Sequence, residues 1–270
     1  MANAEAVAGP QWITFEQPLN ERVRAFLRLE YLFNQYQHHH DQASMWDARA
    51  ALHTLLDILS VMGHNDFKTD LVKDLCEQRS ALEALADRPG VDTTQLQRVL
   101  GELGHAIVDL QATLTSYPGA VLRESDLLAA VLNRFAIPGG TCNFDLPGYH
   151  RWLTRPQDRV VADLDRWYGH LGVLDAAIRI YLRLLRQGAN AVERVAEKGV
   201  FLYTPPPRSR YHLIRVKIPA GVDAYPEISA NHYRVTIRFM RLGDVDQRNT
   251  QMQESVAFRL QCCAPANSHA

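Results

Sequence analysis

The chain has 270 residues, 47% of them hydrophobic and 22% charged, with a formal net charge of −1. These are the proportions of an ordinary globular protein, long enough for one large domain or two smaller ones. No uninterrupted apolar run reaches the ~18 residues of a membrane span, and the start MANAEAVAGPQ lacks a basic stretch followed by an apolar core, so neither a span nor a secretory signal is expected and the cytosol is the expected compartment.

Four cysteines, Cys76, Cys142 and the adjacent Cys262 and Cys263, show no paired spacing. That excludes a disulfide scaffold and a zinc ribbon and predicts reduced thiols, with the C-terminal pair the candidate for reactivity through chain-end mobility.

Residues 1–11 are Ala-rich and polar and read as a loose terminus. Trp12 to Glu16 then alternates as a short strand that Pro18 stops, and such an isolated strand must find partners far along the chain, here the C-terminal strands. Asn20 has the side chain of a helix cap, and the following residues run on without Gly or Pro, with Val23, Phe26, Leu27, Glu30, Tyr31 and Phe33 as the expected inward stripe. His38, His39 and His40 close that helix. Neighbours on a helix point about 100° apart, so a shared metal ion is disfavoured and interaction with the helix C-terminus suffices.

Ser44 opens a second helix in which Trp46, Arg49, His53, Leu56 and Ser60 form one row and Leu52, Leu55, Leu59 and Met62 the apolar one. A third helix is expected over 66–85, with Phe67, Leu71 and Leu75 inward, and a fourth from Asp92 or Thr93 to about Tyr117, the clearest amphipathic segment. A fifth covers about 124–136. Ile137 to Pro147 then holds two glycines and two prolines, the mark of a loop of defined shape. Tyr149, His150 and Trp152 begin a further helical piece, and 158–187 reads as one last long helix, with another turn allowed to about Glu197.

From Gly199 the grammar changes to strands: 200–204, 211–218, 232–241 and 255–262, with Pro205, Pro206 and Pro207 as an extended connector. The fold expected is α+β, a helical domain of about six to eight helices (residues 19–198) inserted between an N-terminal strand (12–18) and a C-terminal antiparallel β-sheet domain (199–263), with a short tail from 264.

Within HYRVTIRFM, alternation predicts a buried row of Tyr233, Val235, Ile237 and Phe239 and a solvent row of Arg234, Thr236 and Arg238. Between Phe201 and Arg241 seven Lys/Arg stand against Asp223 and Glu227, whereas the chain before Phe201 is net acidic. A basic module on a near-neutral chain points to an anionic partner.

Known catalytic signatures are absent: there is no Gly-x-Ser-x-Gly elbow, His-Glu-x-x-His, phosphate-binding loop, dinucleotide fingerprint or Cys-x-x-Cys. Asp145 and His150 form a conceivable acid/base couple but lack an evident nucleophile. The expectation is a binding protein without cofactor or metal, and nucleic acid on the basic sheet is the alternative to a protein partner. The two faces separate them: with Tyr233 and Phe239 in the core, few aromatics remain to stack on bases.

Several long motifs in order, EQPLNERVRAFLRLEYLFNQ, DFKTDLVKDL, PGVD, IPGGTCNFDLPGYHRWL, YPEISANHYRVTIRFM and the closing FRLQCC, resemble the ZapD family of bacterial cell-division proteins from about Ile13 to Cys263. The resemblance implies a non-enzymatic cytoplasmic homodimer that binds the C-terminal tail of the tubulin-like GTPase FtsZ and bundles its filaments at mid-cell, with no nucleic acid or membrane partner. Carried over by motif, its partner contacts fall on Arg234 and Arg238 in the YRVTIRF strand, Arg28 in LNERVRAFLR and His150 after FDLP. His64 stands where some relatives carry Arg, and Trp12 is placed as an aromatic wall beside the groove.

Overall fold

The computed structural model describes residues 11–42, 44–63, 67–86, 88–112, 122, 124–207, 209–231, 233–244 and 246–265. In chain order these form β1 (Trp12–Pro18), α1 (Glu21–His40), α2 (Met45–Met62), α3 (Phe67–Glu83), α4 (Thr93–Ala112), α5 (Asp126–Arg134), α6 (Pro147–Leu153), α7 (Gln157–Gly169) and α8 (Gly172–Gln187). The strands β2 (Val192–Ala196), β3 (Val200–Tyr203), β4 (Leu213–Pro219), β5 (Tyr225–Ala230), β6 (Val235–Arg241), β7 (Thr250–Gln251) and β8 (Val256–Cys263) follow. This is the α+β arrangement that periodicity predicts. The chain divides into two units, Ala25–Leu182 and the described residues on either side of that span.

The helix starts follow side-chain chemistry. Asn20 Oδ1 accepts from the Val23 amide at 2.8 Å, and Ser44 Oγ accepts from the Asp47 amide at 3.1 Å, each satisfying a donor that the first helical turn leaves open. The buried stripe of α1 is Phe26, Leu29, Phe33 and Tyr36, spaced at three and four residues. Tyr31, expected inward, is 68% exposed, because the 3.6-residue period brings Leu29 rather than Tyr31 beneath Phe26 and Phe33. Phe26 meets Tyr181 of α8 edge-on at 5.2 Å and Tyr36 stacks on Tyr168 of α7 at 4.8 Å, so aromatic pairs knit three helices.

The single helix expected over 158–187 is two. Between α7 and α8 the Leu171 amide donates to Tyr168 O at 2.7 Å, and Leu171 is fully buried. Gly169 and Gly172 flank the break, where the helix costs most to continue and least to leave.

His39 and His40 do more than complement a helix end. His39 Nδ1 lies 3.2 Å from Asp47 Oδ1 of α2, and His40 Nε2 lies 2.8 Å from Asp165 Oδ1 of α7. Among the described residues no cluster of three His, Cys, Asp or Glu side chains is placed to hold an ion.

In the strand unit, β1-β4-β8-β2 form one antiparallel sheet and β3-β6-β5, with β7 beside β6, form another. Their facing sides share one core: Ile214, Val216, Ile218, Phe258 and Leu260 from the first sheet, and Val235, Ile237 and Phe239 from the second. Phe258 bridges the two, its ring 5.1 Å from Phe239 and 5.2 Å from Phe201. β1 pairs with β4 in the register Phe15↔Val216 and Ile13↔Ile218, so the N-terminal strand joins the C-terminal sheet as its spacing demands.

Three of the described strands escape the sequence pattern: β2, β5 and the two-residue β7. Residues 192–196, where a further helical turn was allowed, form β2, because Val192 and Val195 are β-branched and the segment pairs with β8 in the register Glu193↔Arg259. β5 carries Pro226, a residue confined to edge strands, and β5 is an edge. Between β5 and β6, Asn231 Oδ1 accepts from the amides of Tyr233 at 2.8 Å and Arg234 at 2.9 Å, a turn that delays the strand to Val235. Tyr233 therefore leaves the core row and is 83% exposed, while Val235, Ile237 and Phe239 are buried as alternation predicts.

Candidate partner-binding surface

Arg238 stands on β6 with its neighbours Ile237 and Phe239 in the core, so its side chain is directed to the solvent face of the second sheet. There it is flanked by its ladder partners Glu227 and Val200. Its Nη2 donates to Glu227 Oε2 at 3.0 Å. Arg234, held by the Asn231 turn, is exposed, and its guanidinium has no side-chain partner among the described residues. The exposed Leu202 adds an apolar element to the same sheet face.

Part of the basic charge of the strand unit is matched internally by carboxylates distant in sequence. Arg215 Nε donates to Glu16 Oε1 at 2.7 Å, and Arg186 reaches both oxygens of Glu16 at 2.9 and 2.7 Å. Arg241 lies 3.7 Å from Glu254. The charge count along the chain therefore overstates the positive surface: on β6 and its turn Arg238 shares its charge with Glu227 and Arg241 with Glu254, while Arg234 has no side-chain partner among the described residues.

Trp12 is on β1 opposite Pro219, on the side of the first sheet turned away from Val216 and Ile218. Arg259 lies over its ring at 4.3 Å and donates to Glu193 at 3.0 Å. Trp12, Pro219, Ala257, Val195 and Arg194 line a groove of about 490 Å3. Trp12 and Arg238 thus occupy outer faces of different sheets of the sandwich, and the structure does not bring them together.

In the helical unit Arg28 is exposed on α1, and His64 lies outside the described residues. His150, exposed on α6, helps line a pocket of about 390 Å3 with Met45, Trp46 and Arg49 of α2, Thr141, Cys142 and Asn143 of the loop before α6, and Leu153. The loop has the fixed shape its glycines and prolines predict. Gly139 has φ +72°, and a Cβ on Gly140 would stand 2.7 Å from Ile137 Cβ. Asp145 does not couple to His150. Its Oδ2 accepts from Cys142 Sγ at 3.3 Å and Arg134 lies 3.8 Å from it, which removes the proposed acid/base couple.

Arg49 is the residue that sequence reasoning passed over. Its guanidinium donates to the Thr141 carbonyl at 3.5 Å and to Thr141 Oγ1, and lies 5.9 Å from the Trp46 ring. Burial, with the Arg49 charge as the smaller cause, holds the His53 imidazole below its usual pKa. Burial pushes Tyr149 up to about 12 against the opposing pull of Arg49. The i, i+3 placement of Trp46 and Arg49 was the available signal, but it needed the loop 92 residues away to become a pocket.

The ZapD family, described as cell division protein, matches residues 27–238 of this chain. The Cell division protein ZapD of Methylococcus capsulatus is 36% identical over 251 residues, covering 93% of this chain and 98% of the relative. Those of Bordetella petrii and Chromobacterium violaceum are 37% and 38% identical over 93% of this chain and 99% of each relative. No described helix is long and apolar enough to cross a membrane. With the expected α+β fold in place and the likeness running nearly end to end, the chain belongs to the ZapD family of cell division proteins.

Proposed function

We propose that this chain is a non-enzymatic cytoplasmic protein that binds the C-terminal tail of FtsZ and, as a homodimer, crosslinks and bundles FtsZ filaments at the division ring. The observation that carries the reading is the exposed Arg238 on the outer face of β6 and the neighbouring Arg234, which has no side-chain partner among the described residues, in a chain of this family. Two copies related by a twofold axis present the site twice, so bridging needs only bivalence. A flexible tail loses conformational entropy on binding, so each contact is weak and the bundle rests on many of them. Arg28, His150, Trp12 and His64 are the further contacts proposed.

Co-sedimentation of FtsZ filaments with the purified protein tests the reading. Pelleting increases with this chain, weakens with added salt, and is lost with FtsZ lacking its tail or with Arg234→Glu/Arg238→Glu at unchanged circular dichroism. Equal pelleting with tailless FtsZ overturns it. The exposure of Tyr233 next to Arg234 supports a second reading, base stacking on single-stranded nucleic acid, which a gel shift decides.

A further inference from the structure

The pocket walled by α2, the 137–146 loop and α6 is lined by a guanidinium, that of Arg49, which no carboxylate of the described residues neutralises. Arg49 is fixed by two oxygens of Thr141, both uncharged acceptors, and has no carboxylate partner among the described residues. The carboxylates close in sequence are committed elsewhere: that of Asp145 accepts from Cys142 and lies near Arg134, and that of Asp47 accepts from the Ser44 hydroxyl and lies beside His39. The lining itself contains a guanidinium, an imidazole and no Asp or Glu. A half-buried guanidinium without a counter-ion favours an anion strongly, because low dielectric raises the value of the pair.

The remaining wall is apolar and open. Trp46 is 68% exposed and Met45 and Leu153 stand beside it in the lining. Phe144, following the lining residue Asn143, is 82% exposed. Large apolar side chains gathered in solvent mark an interaction site. A free inorganic anion would use the guanidinium and leave the indole wall idle, whereas a peptide carrying a carboxylate next to an apolar residue uses both. The volume of about 390 Å3 suits one such side chain with its neighbour, within the ~300–1,000 Å3 common for ligand pockets. The glycine-shaped loop presets the cavity, so little ordering cost attends its filling.

We propose that this pocket is a specificity subsite for an acidic peptide, seating one apolar side chain against Trp46, Met45 and Leu153 and the adjacent carboxylate on Arg49 and His150. The occupant is a segment of the FtsZ tail, an assignment that rests on the function proposed above. The subsite would select sequence, where the β6 arginines select charge.

Fluorescence anisotropy of a labelled synthetic FtsZ-tail peptide with the full-length chain tests this. Trp46→Ala, which alters an exposed side chain, and Arg49→Gln are each expected to weaken binding about tenfold, with thermal unfolding of the Trp46 variant unchanged. A peptide with its carboxylates amidated should lose the difference between wild type and Arg49→Gln. Wild-type binding matched by both variants overturns the subsite while leaving the FtsZ reading intact, and absence of wild-type binding overturns the FtsZ reading and this occupant together. Displacement of the peptide by inorganic phosphate at equal concentration would assign Arg49 to a free anion. A change in mass by light scattering on Trp46→Ala would assign the patch to a second copy of the chain. Either result overturns the proposal.

Discussion

Arg238 and Glu227 are direct cross-strand partners on β6 and β5, joined by a 3.0 Å hydrogen bond with 57% and 44% of their side chains exposed. An exposed pair of this kind contributes about 1 kcal/mol or less, so a carboxylate arriving from a partner displaces Glu227 at little cost. Glu227 is then a built-in competitor for the guanidinium.

Replacing that competitor should strengthen the proposed FtsZ-tail interaction. Glu227→Gln is expected to raise FtsZ-tail affinity about twofold to threefold and Arg238→Gln to lower it, both with nearly unchanged melting temperature. Anisotropy titrations at low salt measure the effect, and equal affinities for the two variants would place Arg238 outside the tail site.

Glu16 has the opposite character. It joins β1 to Arg215 of β4 and Arg186 of α8, with all three side chains at 17–21% exposure. Glu16→Gln withdraws the counter-charge from two sheltered guanidinium groups, and should destabilise the strand unit by about 3 kcal/mol. Urea denaturation measures this, and a loss under about 1 kcal/mol would show that solvent already screens the cluster.

The depressed His53 pKa gives a pH dependence of definite sign. The unfolded imidazole, with its usual value of 6.5, binds protons that the folded one rejects. Its contribution to stability is therefore complete above pH 6.5 and is lost as pH falls through 6.5 toward the folded value. Between pH 7.5 and 5.5 the wild type should lose more stability than His53→Leu, which lacks the group; parallel losses would refute the assignment.

The thiols should separate by accessibility. Cys262 and Cys263 lie in β8, and burial pushes their pKa values up to about 11 and about 12, the reverse of the reactivity their terminal position suggested. Cys76 is exposed on α3. Maleimide at pH 7.5 should label Cys76 first and reach Cys262 and Cys263 only in denaturant, as peptide mass spectrometry would report.

The α+β class was legible from residue order because hydrophobic period is a local property: Phe26 and Phe33 on α1, and Val235, Ile237 and Phe239 on β6, declare their buried faces within a few residues. Chain identity with ZapD proteins was legible for a related reason, since long motifs survive as contiguous strings. Ambiguity entered where local rules compete. Asn231 captured two amides and moved Tyr233 out of its strand, Gly169 and Gly172 let one helix become two, and β2 exists only because β8 offers it a ladder.

Charge was the least legible property. Glu16 meets Arg215 across 199 residues and Arg49 meets Thr141 across 92, so which cations are neutralised and which stay free was fixed by folding. Period and composition act between neighbours and are written along the chain, whereas electrostatic pairing depends on distance in space, and only the tertiary structure sets that distance.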